Sequence, residues 1–336
     1  MATGSQVVAD VIPTIDFSSA RSGSTAERAA LGAALDAAAQ TYGFFTLVNH
    51  GIPEAVFADV FQAGFGFFAL PEEEKLRTHQ KRQNRGYIPL FDSYSGDGKP
   101  SGQAAFSMGP NFSPDDPDVL AGLPFHVPNR WPEDLPGFRP SVETCYAALL
   151  ALGLDILGVL TLPLGLPKDF FRTRSQRTYS NMRINYYPPH EDVAAIANFG
   201  IAAHMDEGLL TLLMQDSSGG LEVMGPNRRW IPIEPDPRAI IVNIGKLMTR
   251  WTDGRYKAAL HRVINRSGHE RLSIPLFLHP DYHTRIDPAD MPWSVAGQTR
   301  FQPAIAGDQL VRAFSNRNQS WKEAARDGQT ASPASA

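Results

Sequence analysis

The stretch His204–Leu213, "HMDEGLLTLL", sets a histidine and a carboxylate two residues apart, directly ahead of an apolar run. In an extended segment the side chains at i and i+2 point to the same side, so an inward His204 brings Asp206 inward with it. Two ligand-capable groups at the mouth of a buried strand call for a common partner. Outward from this stretch, the chain after Thr178 is a series of short apolar or alternating runs separated by turn residues: "MRINYYPP", "GLLTLLMQD", "GGLEVMG", "RWIPIEP", "AIIVNIG", "HRVINRS" and "RLSIPLFLHP". That spacing predicts an all-β barrel or sandwich of jelly-roll type.

The earlier part of the chain reads differently. Ser24 followed by Glu27 has the form of a capping box, the Ala/Leu-rich run to Tyr42 propagates a helix, and Gly43 stands where a helix C-terminal glycine is expected. "GFFTLVNHGIP" (43–53) predicts a short strand and turn, with His50 a structural turn residue. "PEAVFADVFQAGFGFFAL" (53–70) predicts a second helix with Pro at its start. The Gly, Ser, Pro and Asp text from Phe91 to Pro128 predicts a long irregular region, a flexible insert or a functional rim such as a lid. Pro140 to Leu162 supplies a long core helix. The expected fold class is α+β, mainly β: a double-stranded β-helix (jelly-roll) core with N-terminal and supporting helices. Residues 1–130 form the N-terminal region, 131–315 the core with its leading helix, and 316–336 a polar, disordered tail with a helix fragment.

Bulk properties narrow the function. The chain has 336 residues, 43% hydrophobic and 20% charged, the balance of an ordinary globular protein with a sizeable core. A net charge of -4 and no dense Lys/Arg stripe argue against nucleic acid and anionic membrane as partners. One cysteine, Cys145, excludes an internal disulfide and reads as a packed small hydrophobe; with no secretory pattern at the N-terminus, the expected location is cytoplasmic. The greasy segment 146–162 carries Asp155 near its middle and is short for a bilayer span.

A third ligand is found in "KAALHRVIN", where His261 precedes an apolar strand 55 positions after Asp206. In a β-sandwich a distant strand returns across several others to face the first, so a wide gap is expected. Two imidazoles and one carboxylate with open positions suit non-haem Fe(II), leaving room for a cosubstrate and O2, although zinc accepts the same donors. In "RLSIPLF", Arg271 and Ser273 share one face while Leu272 and Ile274 share the other. An inward arginine requires a carboxylate or phosphate, and 2-oxoglutarate would supply a carboxylate to its fork; a structural ion pair is the alternative. "RINYYPP" places Arg183, Asn185 and Tyr187 on one face. The polar tips of Asn185 and Tyr187 suit a bound dicarboxylate, and Arg183 is placed for an anionic group of the main substrate or for a salt bridge.

Together, His204-x-Asp206, His261 and Arg271-x-Ser273, with "NYYPP" before them and "GGLEV", "WIPI" and "VNIG" between, resemble the isopenicillin N synthase-like group of Fe(II)- and 2-oxoglutarate-dependent dioxygenases. "IPTIDF" and "GFFTLVNHGIP" resemble that group's N-terminal region, so the likeness runs from Val11 to about Arg312. The resemblance implies iron on His204, Asp206 and His261, and the distal carboxylate of 2-oxoglutarate on Arg271 and Ser273. Asn185 and Tyr187 would lie beside the cosubstrate, and Phe277 in the apolar wall near iron or simply in the core. It implies oxidation of a C–H bond of a small molecule with release of succinate and CO2. The chain departs from the group at His190, where Cys is common, at Met205 within the HxD motif, and at Lys246, where an acidic residue is usual after "NIG". Two alternatives stay open: an iron oxidase that needs no 2-oxoglutarate, and a non-catalytic cupin-like metal-binding protein. Oligomeric state is not legible.

Overall fold

A computed structural model describes residues 11–79, 85–92, 101–189, 200–295 and 297–317. Its strands are β1 (Thr14–Asp16), β2 (Phe44–Val48), β3 (Gly86–Ile88), β4 (Ala104–Met108), β5 (Asn181–Tyr187), β6 (Gly200–His204), β7 (Leu210–Gln215), β8 (Leu221–Met224), β9 (Trp230–Pro232), β10 (Ile240–Ile244), β11 (His261–Ile264) and β12 (Arg271–Leu278), with a small pair β13 (Arg285–Ile286) and β14 (Ala304–Ile305). The helices are α1 (Ser19–Ser22), α2 (Thr25–Thr41), α3 (Glu54–Phe68), α4 (Glu72–Leu76), α5 (Pro117–Leu120), α6 (Phe138–Leu164), α7 (Lys246–Trp251) and α8 (Ala306–Arg317).

Among the described residues an eight-stranded sheet in the order β1-β2-β10-β7-β12-β5-β4-β3 faces a four-stranded sheet β6-β11-β8-β9. The pairings are antiparallel except β1 with β2. This is the jelly-roll core expected from the spacing of the runs. Strands drawn from residues 1–130 and from 131–315 share the larger sheet.

Strand alternation sorts the side chains into two interiors. Leu210, Leu212 and Met214 of β7 and Leu272, Ile274, Leu276 and Leu278 of β12 turn outward and join the large core under the helices. Their alternates turn into the roll, where Phe44, Tyr187, Leu221, Val223 and Ile241 form a second, smaller cluster. Helix α6 closes the outer face; Leu149, Leu152, Ile156 and Leu160 are fully buried, and the Cys145 thiol touches the Met214 sulfur at 3.4 Å. By length and composition α6 could cross a membrane, but it packs as the core helix expected, and burial raises the Cys145 thiol to about 12.

Local signals hold in detail. Ser24 and Glu27 form the reciprocal capping box of α2, and Gly43 takes φ 65° where the chain turns into β2. His50 is a turn residue: its Nδ1 accepts from the Ile52 N–H at 3.2 Å and its Nε2 bonds the Arg238 carbonyl at 2.9 Å. Helix α6 starts at Phe138 rather than Pro140, and Pro53 caps α3 instead of entering it. The irregular reading of 91–128 needs correction. Residues 104–108 are a wholly buried strand, inserted between β3 and β5, and 117–120 are helical. The segment is therefore in part a structural member of the sheet. The reading of a tail beyond α8 lies outside the described residues, as does His190.

Candidate metal centre and cosubstrate pocket

His204 is the last residue of β6 and His261 the first of β11, and strand register sets them opposite each other with ring centroids 4.3 Å apart. Asp206 is not on the strand. It lies just past the end of β6, on the connection that leaves the four-stranded sheet, bends at 207–209 and enters the larger sheet at β7. His204 and Asp206 face the same centre, although only His204 belongs to a strand and the crossing between sheets follows Asp206. Gly208 makes the turn possible, because a Cβ there would stand 2.6 Å from the Leu278 carbonyl oxygen.

One ligand atom from each of His204, Asp206 and His261 lies within 4.8 Å of the others. His204 Nε2 is 3.6 Å from Asp206 Oδ1, and His261 Nε2 is 3.8 Å from Oδ2. Each imidazole is oriented from behind: Nδ1 of His204 bonds the Ala202 carbonyl at 2.8 Å, and Nδ1 of His261 the Ala259 carbonyl at 3.1 Å. A carbonyl only accepts, so Nδ1 carries the proton and Nε2 presents its lone pair to the centre. Asp206 Oδ2 accepts from Thr211 Oγ1 at 2.6 Å and Asn243 Nδ2 at 2.8 Å. Burial by itself would raise this carboxyl, but the adjacent His261 and His204 and the two hydrogen bonds outweigh it and hold the group below the usual carboxylate range. The donor set is that of a centre for a divalent transition metal.

The loop is fastened to α7 as well. The Lys246 N–H donates to the Asp206 carbonyl at 2.8 Å, the Leu247 N–H to the Glu207 carbonyl at 3.1 Å, and Lys246 Nζ pairs with Glu207 Oε1 at 2.8 Å. Lys246, one of the departures from the family pattern, thus braces the segment that carries Asp206. Thr211 and Asn243 were not singled out from the sequence, although each is a polar residue inside an apolar strand, "LLTLL" and "IIVNI".

The triad lines a pocket walled by Leu213, Leu221, Val263 and Phe277, with Arg271 and Ser273 lining it too. Register pairs Arg271 with Tyr187 and Ser273 with Asn185, so the four predicted polar residues meet on neighbouring rungs. Arg271 is fully buried. Its Nε donates to the Gly219 carbonyl at 2.7 Å and its guanidinium stacks 4.8 Å from the Tyr187 ring, while Nη1 and Nη2 have no hydrogen-bond partner among the described residues. Asn185 Oδ1 likewise has no partner among the described residues. Buried polar groups are rarely left so, and a guanidinium fork with both ends open matches a carboxylate. Phe277 pairs with Thr211 at the metal end. Arg183 shares the inward face of β5; burial lowers its pKa to about 10, against the pull of the Asp206 charge, so it is a cation at neutral pH. The structure thus brings His204, Asp206, His261, Arg271, Ser273, Asn185, Tyr187 and Phe277 to one pocket, while Arg183 is not among its lining residues.

A jelly roll with this donor set beside a buried, open guanidinium is the arrangement expected of a non-haem iron oxygenase. Residues 178–280 match the family model described as the 2OG-Fe(II) oxygenase superfamily, and 12–134 that of the non-haem dioxygenase in morphine synthesis N-terminal. The chain is 34% identical to the 2-oxoglutarate-Fe(II) type oxidoreductase hxnY of Emericella nidulans, over 89% of this chain and 88% of that protein. It is 38% identical to the 2-oxoglutarate-dependent dioxygenase citB of Monascus ruber, over 76% and 80%. Among solved structures, a full-length Neurospora crassa protein in complex with alpha-KG and 5-formyluracil superposes with a TM-score of 0.78 at 27% identity, covering 90% of this chain and 96% of that one. The chain belongs to the Fe(II)- and 2-oxoglutarate-dependent dioxygenase family, and is a non-haem iron oxidoreductase using Fe(II), 2-oxoglutarate and O2.

Proposed function

We propose that His204, Asp206 and His261 hold Fe(II), that Arg271 and Ser273 bind the distal carboxylate of 2-oxoglutarate, and that the enzyme hydroxylates, desaturates or cyclises a small specialised metabolite. The observation that carries the reading is the pair of buried, unpartnered Arg271 Nη atoms in the same pocket as the triad. Bound together, Fe(II), 2-oxoglutarate and O2 supply an oxidant able to attack a C–H bond, with succinate and CO2 released. The chain's own part is placement and exclusion. His204 and His261 are held in one tautomer by Ala202 and Ala259. Tyr187 supports the Arg271 guanidinium through its ring, and its hydroxyl and Asn185 flank the cosubstrate. Phe277, Leu213 and Val263 keep water from the reacting end. Arg183, on the same face of β5, orients an anionic group of the main substrate.

The test is an anaerobic titration of apoprotein with Fe(II) and then 2-oxoglutarate, read by the visible metal-to-ligand charge-transfer band of such a chelate. A saturable band is expected, abolished by His204→Ala. Arg271→Ala should weaken 2-oxoglutarate binding by roughly 2–5 kcal/mol, the scale for stranding one partner of a buried charge pair. An unchanged dissociation constant would remove Arg271 from the cosubstrate site.

A further inference from the structure

Asp206 straddles the two imidazoles, with Oδ1 toward His204 and Oδ2 toward His261. Both oxygens are therefore within reach of a shared metal, and something must decide whether one or both bind. The decision comes from the larger sheet. Thr211 on β7 and Asn243 on β10 are directly paired across the strands, both are buried, and both donate to Oδ2. Their positions are set by a rigid rung of sheet rather than by the loop that carries Asp206.

We propose that Thr211 and Asn243 are positioning residues that restrict Asp206 to one-oxygen ligation through Oδ1 and so keep a coordination position open for oxygen. This rests on the triad being the iron ligands. A carboxylate oxygen offers two lone pairs in its plane, and the Thr211 hydroxyl and the Asn243 amide occupy both on Oδ2. Iron(II) of this type takes about six ligands. Two imidazoles, one carboxylate oxygen and the two chelating oxygens of 2-oxoglutarate leave a single position; a carboxylate bound through both oxygens would fill it. The two hydrogen bonds thus act on the oxygen position without either residue touching the metal.

Nitric oxide, which takes the position O2 would take, reads this directly. In the anaerobic Fe(II)–2-oxoglutarate complex its affinity is measured by the electron paramagnetic resonance of the iron–nitrosyl, for wild type, Thr211→Val, Asn243→Leu and Thr211→Ser. Val and Leu should keep the charge-transfer band yet lose nitric oxide affinity by roughly tenfold or more, the scale of outer-sphere substitutions at metal sites. Thr211→Ser, which retains the hydroxyl, should restore it. Wild-type nitric oxide affinity in both apolar variants would overturn the proposal; so would a loss that Thr211→Ser shares, because the methyl group and not the hydrogen bond would then matter. If Asn243→Leu does not fold, the Thr211 pair decides alone. A wild-type protein that gives no band with Fe(II) and 2-oxoglutarate fails earlier, at the function reading itself.

Discussion

His279 shows how far the interior can override a side chain's ordinary chemistry. It follows β12, is buried, stacks on Tyr179 with ring centroids 4.7 Å apart, and has no partner at Nδ1 among the described residues. Burial lowers its pKa to about 3, although the Asp206 charge pulls the other way. Below the ordinary value of about 6.5 the unfolded chain takes up a proton that the folded chain refuses, so this group costs stability as pH falls toward 3. The slope is at most about 1.4 kcal/mol per pH unit. Urea unfolding of wild type and His279→Gln at neutral and mildly acid pH should show a shallower acid loss in the variant; parallel slopes would disprove the assignment. Gly208 is the other decisive residue. Its missing Cβ leaves room for the Leu278 carbonyl oxygen, so Gly208→Ala should destabilise by about 1–3 kcal/mol and weaken Fe(II) binding by displacing Asp206. Calorimetry of the apoprotein and an Fe(II) titration test the two effects separately.

Elements whose causes are local were legible in the sequence. The capping box of α2 lies within four consecutive residues, and Ser24→Ala should cost about 1 kcal/mol in thermal or denaturant unfolding. The long apolar period of α6 likewise announced a core helix, and Leu149→Ala there should cost about 2–5 kcal/mol. Strand β4 was not legible. Its residues, "AAFSM", have little β-branched character and follow a Gly/Ser-rich run; they are extended because β3 and β5 flank them with hydrogen-bonding edges. The break between β6 and β7 was missed for a related reason, since a change of sheet within "HMDEGLL" leaves no mark on hydropathy.

At the scale of the whole molecule, β2 joins β10 and β4 joins β5, so the N-terminal third covers both flanks of the central strands. A fragment beginning at residue 131 would expose those edges and should aggregate, whereas the full chain should unfold in one cooperative transition; size-exclusion chromatography and denaturant melts distinguish the cases. The sequence by itself determined the chemical identity of the site: two imidazoles, a carboxylate and an inward Arg–Ser pair, each within or beside a recognisable strand, because ligand type and strand period are properties of residues and their spacing. Only the tertiary structure decided how those groups meet. His204 faces His261 through strand register, Asp206 stands where the chain leaves one sheet for the other, and Thr211 and Asn243 reach one of its oxygens from strands that are distant in sequence but adjacent in the sheet. Pairing between remote strands is set by the packing of the complete roll, and no local pattern encodes it.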